Sequence, residues 1–267
     1  YGAKDERNLQ KSLHTAYAFS AILSIVFTIL GWALTPFLLK LIDTPADTLA
    51  DSILYLRIYF LGIFGTLIFN IGSAIMRSIG DSRRPLYYLI VCCFLNIILD
   101  LVLVIVFDMG IVGAAIATII SQAVSAILVT NALMKKYDDC KLYLSKLHID
   151  LLKLRLEFRI GIPSALQAFM YSITNIIIQA AINGFGTDTA AAWASFGKLD
   201  ALFWTVNGAF GIAITTFAGQ NYGAGKKERI FKSVRICLAM AVAVCGGIVL
   251  FLAIFCHPLF SIFTTDQ

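Results

Sequence analysis

Apolar residues run along this chain in seven long blocks separated by short polar segments. The blocks are approximately Leu13–Leu39, Ile53–Met76, Pro85–Phe107, Ile111–Met134, Ile160–Asn183, Thr189–Gly219 and Ile236–Ile262. Each supplies the roughly 20 residues that a helix needs to cross a bilayer core of about 30 Å. None shows the ten-residue alternation of a membrane β-barrel strand. Backbone groups in lipid must be satisfied within their own segment, so the pattern predicts transmembrane α-helices. Punctuation agrees. Gly80 and Pro85 bracket "GDSRRP", a helix stop followed by a helix start; "DTPAD" at 43–47 reads as a loop; Pro163 falls in the first turn of the fifth span.

Composition changes the picture only by making the membrane necessary. Hydrophobic residues make up 59% of the chain and charged residues 14%, with a mean hydropathy of +0.84. Soluble domains carry about a quarter charged residues. Side chains that face lipid as well as those that face the core must be apolar here.

The few charges are ordered. Every one of the 21 Lys and Arg except Lys40, Arg57 and Lys198 falls in residues 1–12, 77–84, 135–159 or 220–235. The intervening connections, 40–52, 108–110 and 184–188, are acidic or nearly uncharged. Basic and non-basic loops alternate without exception, as seven successive crossings require. The positive-inside rule makes the basic side cytoplasmic. The chain then starts inside and ends outside, in an inner or plasma membrane crossed many times.

Two of the basic loops repeat each other. Residues 1–12 read "YGAKDERNLQKS" and residues 222–233 read "YGAGKKERIFKS". Each opens an uncharged helix, and "LTPFLLKLIDT" at 34–44 lies opposite "CHPLFSIFTTD" at 256–266, with Pro36 matching Pro258. Six crossings separate the phrases, so both copies share one orientation. These are parallel repeats of six helices about an axis along the membrane normal. The expected architecture is an all-α polytopic membrane protein, seven transmembrane helices drawn from two parallel six-helix repeats. Residues 1–134 are helices three to six of the N-terminal lobe, 135–159 the cytoplasmic linker, and 160–267 the first three helices of the C-terminal lobe. The chain is read as an internal fragment. Within the linker, "IDLLKLRLEF" suits either a short amphipathic interfacial helix capped by Asp150 or an extended strand.

Polar groups at membrane depth are the candidates for chemistry. Asp100 lies about 15 residues into the third span, with Asn96 one turn earlier on the same face. Desolvation favours the neutral form of a carboxyl, which suits a proton carrier. With an amide and backbone carbonyls the same group suits Na⁺, a hard cation that seeks oxygen. A plain helix-pinning bond between Asn96 and Asp100 is the structural alternative. Lys198 and Asp200 sit near the middle of the sixth span, two positions apart, so each needs a partner elsewhere or a wet cavity. The fifth span carries Gln167, Tyr171, Asn175, Gln179 and Asn183 at intervals of four, one polar stripe that must face helices or water. Trp204 belongs to an aromatic set able to stack an organic cation or simply to pack. Arg57 is expected to snorkel onto Asp51.

Several classes are set aside. Six scattered cysteines without CxxC spacing and three dispersed histidines make neither a disulfide framework nor a metal centre. Orientation excludes a seven-helix receptor. No catalytic pair lies at depth, no ring of like charge suggests a channel, and no nucleotide-binding motif is present. An enzyme is not expected.

The segment from "YLRIYFLGIFGTLIFNIGSAIMRSIGDSRRPL" to "DMGIVGAAIATIISQAVSAILV" resembles the multidrug and toxic compound extrusion (MATE) transporters. So do "RIGIPSALQAFMYSITNIIIQAAINGFGT" and "TFAGQNYGAGKKER". The resemblance covers nearly the whole chain. It implies a twelve-helix, two-lobe (6+6 parallel repeat) transporter for efflux of small organic, often cationic, compounds by alternating access against inward Na⁺ or H⁺. No other cofactor and no nucleic acid are expected, and the transporter is read as a monomer in the bilayer. It also implies that the aspartate of "NIILD", Asp100, takes part in a cation or proton site. Some members carry a cation-binding acid on the helix matching the fifth span or elsewhere in the second lobe; its absence from the fifth span here argues against a sodium site on that helix. A lipid-linked oligosaccharide flippase of the same superfamily is the alternative, although only Lys198 supplies a deep cation for a pyrophosphate.

Overall fold

A computed structural model describes residues 1–42, 44–137 and 140–255. The end of the last predicted span and Pro258 lie outside them. The described residues are helical, with no strand among them. Helix α1 is Glu6–Leu41, α2 Ala46–Leu61, α3 Ile63–Ser78, α4 Arg83–Asp100, α5 Gly110–Lys135, α6 Leu151–Asn183, α7 Thr187–Gly223 and α8 Lys227–Ile254. Among the described residues, seven helical stretches are long and apolar enough to cross a membrane.

The second predicted span is two helices in near continuity, α2 and α3, with Gly62 between them. A β-carbon at Gly62 would stand 2.9 Å from the Ile119 side chain on α5. At Gly65 it would stand 3.0 Å from the Gln122 carbonyl, and at Gly72 2.0 Å from Val129. Glycines thus let α3 lie directly on α5, the device by which membrane helices gain packing contact where lipid gives no hydrophobic drive. The third span also divides. After Asp100 the hydrogen bonding widens to a π-helix over Leu101–Val106.

The chain forms two compact units. The first holds Asp5–Glu157 together with Tyr1. Its core gathers Leu13, Tyr17, Ile68, Met76, Val129, Leu133, Cys140 and Leu142. Large side chains on its outer surface, Phe94, Ile98 and Ile105 among them, are exposed as a lipid-facing surface requires. The turn at the basic end of α3 uses Gly80 at φ 95°. Asp81 then accepts the Arg84 backbone N–H at 3.1 Å and its guanidinium at 3.0 Å, closing the open end of α4. The Tyr137 hydroxyl donates to Asp81 at 2.5 Å, and Arg84 lies over the Tyr137 ring at 5.1 Å. Burial, then the Asp81 bond, pushes the Tyr137 phenol up to about 12. Burial alone would raise the Asp81 carboxyl; its hydrogen bonds from Tyr137 and Arg84 hold it below its ordinary value.

The second unit holds Phe158–Gln267 with Gly2–Lys4. Within it α7 packs along α8. In it the backbone at Gly2 and Ala3 lies close to that at Gln220 and Gly223: a β-carbon on Gly2 would meet the Gln220 carbonyl oxygen, and one on Gly223 would stand 2.9 Å from the Ala3 nitrogen.

Two expectations for the linker change. The segment "IDLLKLRLEF" is neither a separate interfacial helix nor a strand, because α6 runs unbroken from Leu151 to Asn183. Its start is fixed by Asp150, which accepts the backbone N–H groups of Leu152 at 3.0 Å and Lys153 at 3.2 Å. Pro163 consequently lies inside a helix rather than in its first turn.

Candidate functional site

Asp100 ends α4 where the regular helix gives way to the π-helical turn. Seventeen residues from Arg83, it stands about 26 Å along the helix from the basic end, at 1.5 Å per residue. Its Oδ1 is buried without a hydrogen-bond partner, and so is the Nδ2 of Asn96 one turn earlier. The helix-pinning bond between the two is therefore not made. Two unsatisfied groups of opposite polarity on one face of a membrane helix are costly unless something polar reaches them. The π-helical turn that follows shifts the hydrogen-bonding register by one residue and widens the helix beside Asp100, a feature frequent at functional sites. Nothing in "LVLVIV" signals it: the run holds neither Gly nor Pro.

Two further orphans belong to the same unit. Ser73 Oγ is buried on α3 and Arg57 Nε on α2, each unpartnered. The Arg57 guanidinium lies 4.4 Å from the centre of the Trp32 ring on α1. This corrects the expected ion pair with Asp51: facing α1, Arg57 exchanges a wet carboxylate for an aromatic face. Ser121 and Ser125 bond carbonyls of their own helix, α5, as packing polar groups do.

In the second unit the polar stripe lies along α6. Gln167, Tyr171, Asn175 and Gln179 are exposed, and Gln179 donates to Asn183 at 2.9 Å. Tyr171 meets Trp204 of α7 edge to face, with ring centres 5.9 Å apart, and Phe203 meets the same indole at 6.1 Å. Lys198 and Asp200 lie on α7. Here the structure brings together Tyr171 and Trp204 from two helices. The described cysteines form no disulfide, and among the described residues no cluster of His, Cys, Asp and Glu is arranged to hold a metal.

Two features escaped sequence reasoning. One is an apolar recess of about 420 Å³ between α1, α3, α5 and the linker, lined by Tyr17, Phe64, Ile68, Thr130, Met134 and Leu147. Its polar lining is Asn131 and the bonded Tyr17 and Thr130 hydroxyls, 2.6 Å apart. The other is the docking of the linker on α1, described below.

The model of one family, MatE, matches residues 1–102 and 163–267. A probable multidrug resistance protein, YoeA of Bacillus subtilis, is 28% identical over 276 residues, covering all of this chain and 59% of that protein. A probable multidrug resistance protein, NorM of Thermotoga maritima, is 30% identical over 261 residues, covering 93% of this chain and 55% of that protein. A solved outward-facing structure of a multidrug resistance MATE family transporter of the MOP superfamily is 25% identical. It superposes with a TM-score of 0.91 over 98% of this chain and 59% of its own. The chain therefore spans rather more than half the length of the relatives it matches.

Proposed function

Since the chain belongs to the MatE family, a family of membrane transporters, not enzymes, we propose that it serves secondary active efflux of small organic, often cationic, compounds. Export runs by alternating access against inward Na⁺ or H⁺. The observation that carries the coupling is the orphaned pair Asn96 and Asp100 at depth beside a π-helical turn. A proton would give Asp100 a donor of its own; Na⁺ would take its oxygens and those of the neighbouring backbone. Inward movement of one positive charge releases about 2.3 kcal/mol per 100 mV. Asp200 is a second candidate for coupling.

The substrate cleft, in this reading, is lined from the second unit. The edge-to-face Tyr171 and Trp204 offer π-surface to an aromatic cation. Gln167, Asn175 and Gln179 supply adaptable hydrogen bonds, and Lys198 sets a charge that selects against some cations. Residues 1–134 and 160–267 belong to like-oriented lobes joined by residues 135–159, with the basic loops cytoplasmic. The two matched segments flank this linker, in support of that division. A lipid-linked oligosaccharide flippase gains no support from the relatives described, which carry multidrug resistance names.

The test is transport of a fluorescent organic cation in proteoliposomes, with Na⁺ and H⁺ gradients imposed separately. One gradient is expected to drive export against the dye's own concentration gradient. Indifference of dye export to both gradients overturns the antiport reading.

A further inference from the structure

At the basic end of the first unit the linker is fastened to α1 through a buried histidine. His14 is 3% exposed. Its Nδ1 lies 2.8 Å from the Gln10 carbonyl oxygen, which can only accept, so Nδ1 carries the proton. Its Nε2 accepts the backbone N–H of Tyr143 at 3.2 Å, so Nε2 is bare. The ring stacks on Tyr143 at 6.4 Å and on His148 at 6.1 Å. Neighbouring ties point the same way. The Gln10 amide, oriented to satisfy both partners, bonds the Lys141 carbonyl at 3.1 Å and its N–H at 3.2 Å. Thr15 accepts the Asp150 N–H at 3.0 Å, and Lys11 pairs with Asp150 at 3.0 Å. One face of α1, from Gln10 to Thr15, therefore holds residues 141–150.

We infer that His14 is a proton-sensitive fastening of residues 141–150: neutral His14 holds this linker segment on α1, and protonated His14 releases it. A second proton on the ring occupies Nε2 and leaves the Tyr143 N–H with no acceptor. The charge also arrives in a buried place at the basic end of the unit. Lys11 stands one turn before it on α1, Lys141 and Lys146 lie against the Tyr143 ring at 5.9 and 4.9 Å, and α3 and α5 bring Arg77 and Lys135 to this end. Asp150 is the facing carboxylate, and Lys11 already engages it. Its hydrogen bond from Lys11 and then that from the Lys153 N–H hold the Asp150 carboxyl below its ordinary value. The Asp150 tie therefore weakens only below the ordinary carboxylate range. His148, exposed and bonded to the Lys146 carbonyl, is the competing sensor.

The test needs no transport. Amide hydrogen exchange at single-residue resolution is measured on the protein in nanodiscs at pH 7.5 and 5.5, each rate normalised to intrinsic exchange. Protection of the Tyr143 amide is expected to fall about five- to tenfold on acidification, the loss of one hydrogen bond. Leu142, whose N–H bonds the Leu133 carbonyl at 3.0 Å, keeps its protection. His14→Gln, which offers a non-titrating acceptor, is expected to remove the pH dependence, and His148→Gln to retain it. Unchanged Tyr143 protection in the parent overturns the inference, whatever the variants do. Loss that persists in His14→Gln, or vanishes in His148→Gln, overturns it as well.

Discussion

Asp100→Asn is expected to lower gradient-driven export roughly 10- to 100-fold, at about 1.5–3 kcal/mol for a hydrogen bond to a charged group and 1.4 kcal/mol per decade, while leaving the folded yield unchanged. The substitution keeps the shape of the side chain and removes both its charge and its capacity to take a proton. Because the Asp100 Oδ1 makes no internal hydrogen bond, its replacement breaks none. A residue kept for stability would behave in the opposite way, losing yield and sparing coupling. Transport assays in proteoliposomes beside size-exclusion profiles separate the two. Coupled export that survives Asp100→Asn at the parent rate would move the coupling site elsewhere while sparing the fold.

Gly65→Leu should be the most damaging single change in the first unit. A β-carbon there meets the Gln122 carbonyl carbon and oxygen at 3.0 Å and the Ala123 nitrogen at 3.1 Å. These are backbone atoms of α5 and cannot swing aside as a side chain can. Overpacking a close contact costs about 1–3 kcal/mol even where side chains adjust. Here α3 must lift from α5 along a face that also holds Gly62 and Gly72. Gly65→Ala, which asks its neighbours for a few tenths of an ångström and gains helix propensity of about 1 kcal/mol, should be tolerated far better. Thermal unfolding of the three proteins in one detergent measures the order parent, Ala, Leu, with a wide gap before the last. Equal melting temperatures for all three would show that α3 does not rest on α5 in this way.

Membrane helices announce themselves through unbroken apolar length, and the alternation of basic loops orders them, so the seven spans were readable from residues alone. What escaped was decided by contacts between distant segments. Gly62 looks like any glycine in an apolar run until Ile119 of α5 is set against it. The π-helical turn after Asp100 carries no Gly or Pro to mark it. The basic linker was legible as polar, but its place on α1 depends on His14 meeting the Tyr143 backbone 129 positions later. Sequence proximity sets Arg57 against Asp51, whereas its partner Trp32 comes from another helix. At the site, Asp100 and Asn96 stood out because polar groups are rare in such a helix; that their bond is unmade was visible only in three dimensions.

The repeated phrase at residues 1–12 and 222–233 makes the account depend on orientation. The decisive measurement is sided labelling of single cysteines in intact cells, placed at Ser82, Lys146, Lys226, Met109 and Gly184 on a cysteine-free background. The first three are expected to react only after the membrane is made permeable, and the last two to react from outside. Reaction of Lys226→Cys from outside, with Lys146→Cys still protected, would contradict two like-oriented lobes and the exporter built from them.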